Sequence, residues 1–108
     1  MGVRENKIET CLKAEVEKRG GQCYKWVSPG RDGVPDRIIL LYGSVYFREI
    51  KTPSGKPSTA QEREIARLTE QDQDAGFIFS KGDVDEFLHW CLLSKKYPWH
   101  QKVPYANS

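Results

Sequence analysis

Residues 36–51 read DRIILLYGSVYFREIK, two runs rich in Ile, Leu, Val, Tyr and Phe with Gly43-Ser44 between them. A Gly-Ser pair between two β-runs predicts a hairpin with a two-residue turn, in which Gly supplies the positive φ. Tyr42 would then pair with Val45, which sets Glu49 opposite Ile38 and Lys51 opposite Asp36. Side chains alternate faces along a strand, and directly opposed residues share a face. Asp36, Glu49 and Lys51 therefore leave one side of the sheet at the open end of the hairpin. Asp36 and Glu49 become diagonal neighbours within about 8 Å. Two carboxylates at that separation suit a hard divalent cation held between them. A loop one residue longer would send Asp36 to the other face, so the reading depends on register. The plainer alternative is an exposed Asp36–Lys51 ion pair, worth under about 1 kcal/mol. It leaves Glu49 without a role.

The rest of the chain can be placed around that hairpin. Residues 4–19 read as a helix, with Ile8, Leu12 and Val16 recurring every four residues and Gly20-Gly21 ending it. Residues 23–27 form a short strand, and SPGRDGVP (28–35) a turn-rich loop. After the hairpin comes the loop TPSGKP. A helix then runs from Ser58 to about Asp74, with Ile65 and Leu68 inward, followed by a short strand at 77–79. Asp83 opens a last helix, with Glu86 spaced to complete a capping box. The order is α-β-β-β-α-β-α, an α/β chain with a mixed sheet and helices packed on it. Residues 1–94 form one domain, and KKYPWHQKVPYANS (95–108), which lacks periodicity, is a C-terminal tail.

Composition removes several classes of function. At 108 residues the chain holds a single modest core. No apolar run approaches the roughly 20 residues of a membrane helix, and no signal peptide is expected. Cys11, Cys23 and Cys91 form no CxxC pair, and His89 and His100 lie far from the first two. A zinc site or disulfide framework is therefore not expected, and a reducing cytoplasm is the natural location. The net charge of +2 would not by itself announce a nucleic-acid partner.

Pro35-Asp36 followed by Glu49-Ile50-Lys51 on the next strand resembles the PD-(D/E)XK nuclease motif. The wider run YKWVSPGRDGVPDRIIL…VYFREIKTPSGKPSTAQ is similar to the VRR-NUC branch of that superfamily, especially its short stand-alone members from phages and prophages. The likeness spans residues 5 to 90. It implies a restriction-endonuclease-like core and an endonuclease that cuts phosphodiester bonds in structured DNA with Mg²⁺ or Mn²⁺, without a small-molecule cofactor. It also implies a homodimer resembling Holliday-junction resolvases. A phage or prophage member would act in the bacterial host cytoplasm. The implied metal ligands are Asp36, Glu49 and the Ile50 main-chain carbonyl, with Lys51 orienting the attacking water or steadying developing charge.

A helical Glu usually stands beside the metal in this family. Glu5, Glu9 and Glu15 all lie near the inward stripe of the first helix, and alignment with the family favours Glu9. The resemblance also implies an active-site glutamine at Gln61. As residues alone, Ser58-Thr59-Ala60-Gln61 is a capping box in which Gln61 ties off a helix. The same box can start at Thr59 with Glu62 and leave Gln61 free. Lys25, Arg31, Arg37, Lys56 and Arg63 flank the proposed site and are candidates for DNA backbone phosphates. Trp90, Tyr97 and Trp99 are candidates for a dimer contact. Within the enzyme class the alternative is a flap or nicking nuclease. Outside it, a catalytically silent DNA-binding module would have little use for clustered carboxylates.

Overall fold

The two apolar runs do pair as a hairpin, but the turn falls one residue earlier than the Gly-Ser pair suggests. In the computed structural model, which describes residues 3–94, Leu41 pairs with Ser44 and Arg37 with Arg48. The turn is therefore Tyr42-Gly43, and both residues have positive φ, 53° and 81°. Two consecutive positive values are the mark of the type I′ turn, whose twist matches that of the strands it joins. Gly43 thus serves the second central position, and Tyr42 accepts the left-handed conformation at the first. The shift moves the pairing by two residues, an even number, so every side chain keeps its face. Asp36 comes directly opposite Glu49 instead of diagonal to it.

The elements follow the expected order: α1 (Val3–Lys18), β1 (Gln22–Lys25), β2 (Arg37–Leu41), β3 (Ser44–Ile50), α2 (Thr59–Glu70), β4 (Asp74–Ile78) and α3 (Lys81–Leu93). The sheet order is β1-β2-β3-β4. The first three strands form an antiparallel meander, and β4 joins β3 in parallel after the crossover through α2. Three boundaries differ from the sequence reading by three residues or more. Helix α2 ends at Glu70, because Asp72 takes a left-handed φ of 61° and turns the chain back. The residues released there lengthen β4 to Asp74. Helix α3 begins three residues early. Ser80 is its N-cap and accepts from the Asp83 amide, while the Asp83 carboxylate accepts from the Phe79 amide at 2.8 Å.

Alternation then sorts the sheet into two faces. Ile39 and Leu41 on β2, Tyr46 and Ile50 on β3 and Ile78 on β4 join Ile8, Leu12 and Val16 of α1 and Val84, Phe87 and Leu88 of α3 in one buried core. The other face carries Ile38, Phe47 and Glu49 and lies towards α2 and Trp26, whose ring packs 5.6 Å from that of Phe47. Arg48 is a buried charge on the core face. Its guanidinium donates to Asp74 Oδ1 at 2.7 Å and lies over the Phe87 ring at 4.5 Å, so the buried charge is paired. Cys11, Cys23 and Cys91 are free thiols. No described helix is long and apolar enough to cross a membrane. The tail at 95–108, with Tyr97 and Trp99, lies outside the described residues.

Candidate active site

The hairpin brings Asp36 to the mouth of β2, and two main-chain contacts fix it there. Its carbonyl accepts from the Trp26 amide at 2.8 Å, extending the β1–β2 ladder by one rung. Its amide donates to Glu49 Oε1 at 3.2 Å. In return, Asp36 Oδ2 accepts from the Ile50 amide at 3.2 Å. The two carboxylates thus clasp each other's strands. The Lys51 amide is bonded across to the Ile78 carbonyl at 2.9 Å. Successive residues of a strand turn their main-chain groups to opposite edges. The Ile50 carbonyl therefore lies on the same edge as its amide, towards Asp36.

Helix α2 closes the cluster from the other side. Gln61 Nε2 donates to Glu49 Oε2 at 3.0 Å, and Gln61 Oε1 accepts from Lys51 Nζ at 3.2 Å. The same Oε1 accepts from the Ser58 amide at 2.9 Å, while Ser58 Oγ accepts from the Gln61 amide at 3.1 Å. Gln61 thus completes the Ser58 capping box and reaches the carboxylates at once. The box that starts at Ser58 is the one formed, not the one from Thr59 with Glu62, and it does not keep Gln61 from the carboxylates. Asp36, Glu49, Lys51 and Gln61 accordingly meet in one hydrogen-bonded group.

Glu49 is 5% exposed. Burial, and then the Asp36 carboxylate beside it, push its pKa up to about 8, and Lys51 offsets this in part. Desolvation and a like charge both disfavour the ionised form, so the pair shelters a proton near neutral pH. A positive charge placed between the two carboxylates can take that proton's place. Among the described residues no three His, Cys, Asp or Glu side chains cluster to hold a metal. Two carboxylates with a nearby carbonyl still match the way Mg²⁺ is commonly held, with waters and substrate phosphate completing its shell.

Glu9 and Arg37 stand differently from the expectation. Arg37 Nε donates to Glu9 Oε2 at 3.1 Å, and Arg37 Nη1 reaches the Cys23 carbonyl at 3.4 Å. The Arg37 side chain is 14% exposed and lies on the α1 face of the sheet, not on the face of Glu49. In this arrangement Glu9 anchors α1 to the strand that starts at Asp36, and Arg37 has little surface left for a phosphate. Glu9→Gln should therefore lower folding stability by about 3 kcal/mol, the cost of leaving a buried arginine unpaired. Chemical denaturation measures this. An unchanged midpoint would show that Glu9 is no anchor.

The remaining cations divide by setting. Lys25, on the edge strand, shares the face of Arg37, with which it pairs across β1–β2. Lys56 in the loop before α2 and Arg63 on α2 are exposed. Arg31 pairs with Glu64, which the sequence reading passed over. Glu64 is buried, and it lies three residues beyond Gln61 and next to the inward Ile65. An acid at an inward helix position is the signal that could have exposed it.

No protein-family model matches the sequence. Over 67 residues the chain is 54% identical to "Putative nuclease p44" of Acyrthosiphon pisum secondary endosymbiont phage 1, a stretch covering 61% of this chain and 72% of that protein. Its fold is similar to a solved structure described as "VRR_NUC domain", with a TM-score of 0.76 and 28% identity. That likeness spans 82% of this chain and 97% of the other.

Proposed function

Since the chain belongs to the VRR-NUC nucleases of phage type, we propose that it is a Mg²⁺- or Mn²⁺-dependent endonuclease acting on branched DNA as a homodimer. The observation that carries the metal dependence is the pairing of buried Glu49 with Asp36, whose proton a cation would replace. Asp36, Glu49 and the Ile50 carbonyl would hold the cation. When bound it would supply a water acidified towards neutral pH and relief of charge on the phosphate.

The chain's own groups do the rest. Lys51 stands on the Glu49 face, where its ammonium can orient the attacking water and offset negative charge gathering on the phosphate oxygens. Gln61 bridges Lys51 and Glu49 through its two amide atoms, which fixes their separation. Asp36 and Glu49 are held by each other's main-chain neighbourhoods, so they need little rearrangement before reaction.

One active site per chain cuts one strand, and paired cuts across a four-way junction call for two copies related by two-fold symmetry. Support for such a contact comes from α3, which presents Trp90 half-exposed together with Leu92 and Leu93. Aromatic residues are enriched at interface centres. Labelled junction, flap and linear duplex DNA, incubated with Mg²⁺ or Mn²⁺ and with EDTA, test the reading alongside light scattering. Symmetric paired nicks in the junction, lost in EDTA, with a particle of twice the chain mass, are the expected result. Cutting in EDTA would remove the metal. A monomer that cuts flaps faster than junctions would leave a nuclease with a different substrate.

A further inference from the structure

Beyond the active site, α2 carries a second charged feature. Glu64 is buried, and its Oε1 alone meets two guanidinium groups, Arg31 Nε at 2.9 Å and Arg67 Nη1 at 2.6 Å. The two donor nitrogens can be no farther apart than those two distances added. Arg31 arrives from the loop leading to Asp36, and Arg67 from the last turn of α2. Each arginine side chain is 53% exposed. Arg67 donates a hydrogen bond to Glu64, whereas Arg31 meets it as an ion pair; among the described residues neither side chain makes another hydrogen bond, which leaves most donors of each planar fork uncommitted.

Neutralising Glu64 needs one arginine. The second leaves the cluster with a net positive charge at the surface, where an anion can complete the set. Arginine forks match phosphate oxygens in pairs. Arg67 lies six residues along α2 from Gln61, about 9 Å at the helical rise. We propose that Arg31 and Arg67, gathered by Glu64, form a clip for a DNA backbone phosphate flanking the phosphate being cut. The identity of the polyanion rests on the nuclease reading. The clip itself would fix the register of the strand and carry no sequence preference.

The test is fluorescence anisotropy of labelled junction DNA in EDTA, where no cutting occurs, over a series of NaCl concentrations. Arg31→Gln and Arg67→Gln should each weaken binding about fivefold, and the double variant, which frees one phosphate, should lower the slope of log K against log salt by about one. The same double change to Lys should restore the slope but not the full affinity, since charge returns without the fork. In cleavage, the loss in kcat/KM should be carried by KM. Arg67→Gln, exposed on its helix, serves alone if the double variant fails to fold. Unchanged affinity and slope would overturn the clip and leave a structural clamp. A fall in kcat with affinity intact would overturn it too, making the pair a brace for the Asp36 loop. Wild-type protein that binds DNA but does not cut it with either metal would refute the nuclease reading while leaving the clip in place.

Discussion

Asp36→Asn, Glu49→Gln and Lys51→Ala should each slow phosphodiester cleavage by a factor of about a thousand or more, while leaving the protein folded. Removing one preorganised electrostatic group commonly costs between about a hundredfold and a thousandfold. A carboxylate that also holds the metal should stand at the upper end. The structural losses are small by comparison. An Asn at position 36 keeps an oxygen to accept from the Ile50 amide, and a Gln at position 49 keeps one for the Asp36 amide. Lys51 gives up one bond, to Gln61. Single-turnover cleavage and circular dichroism together decide the matter. Wild-type rates in all three variants would move the chemistry elsewhere, and unfolded variants would show that these residues serve the fold first.

The second large effect concerns pH. Glu49 titrates in the folded chain at about 8, well above an ordinary glutamate, because it is buried next to Asp36. A carboxyl whose folded pKa is raised binds more protons folded than unfolded. Its contribution to stability is therefore complete below the ordinary glutamate range and is lost as pH rises towards 8. The metal-free protein should melt at progressively lower temperature between about pH 5 and pH 8.5. Mn²⁺ should raise the melting temperature little at pH 5.5 and by several degrees at pH 8.5, since the cation displaces a proton. Glu49→Gln should flatten the metal-free profile and remove most of the metal effect. Equal stabilisation by Mn²⁺ at both pH values would mean that the cation does not compete with this proton.

These two experiments address residues that the sequence already singled out. The hairpin was legible because two β-rich runs flank a glycine, and no other local structure suits that pattern. Its register was not, because a glycine can serve either central position of a tight turn. Tyr42 accepting φ 53° decided between them. The prediction of a shared face survived because the slip was even. Gln61 was legible as a helix cap, and spacing could not reveal that the same amide also reaches Glu49 and Lys51. The partners of Glu9 and Glu64 were hidden for another reason. Helical periodicity turns an acid inward, but Arg37 and Arg31 come from segments far along the chain and meet them only after the sheet forms. The boundary of α2 failed because Asp72 in the left-handed region overrode a pattern that continued to Asp74.

The doubled bonding of Gln61 ties local opening of the helix to the carboxylate cluster. Helix ends fray readily, and opening the first turn of α2 breaks the Ser58 box. Here the same event withdraws the amide from Glu49 and Lys51. The site therefore cannot outlive that turn. Its assembled lifetime is the closed lifetime of four residues, 58–61, and whatever steadies the carboxylates must also slow solvent exchange at the amides of the helix start.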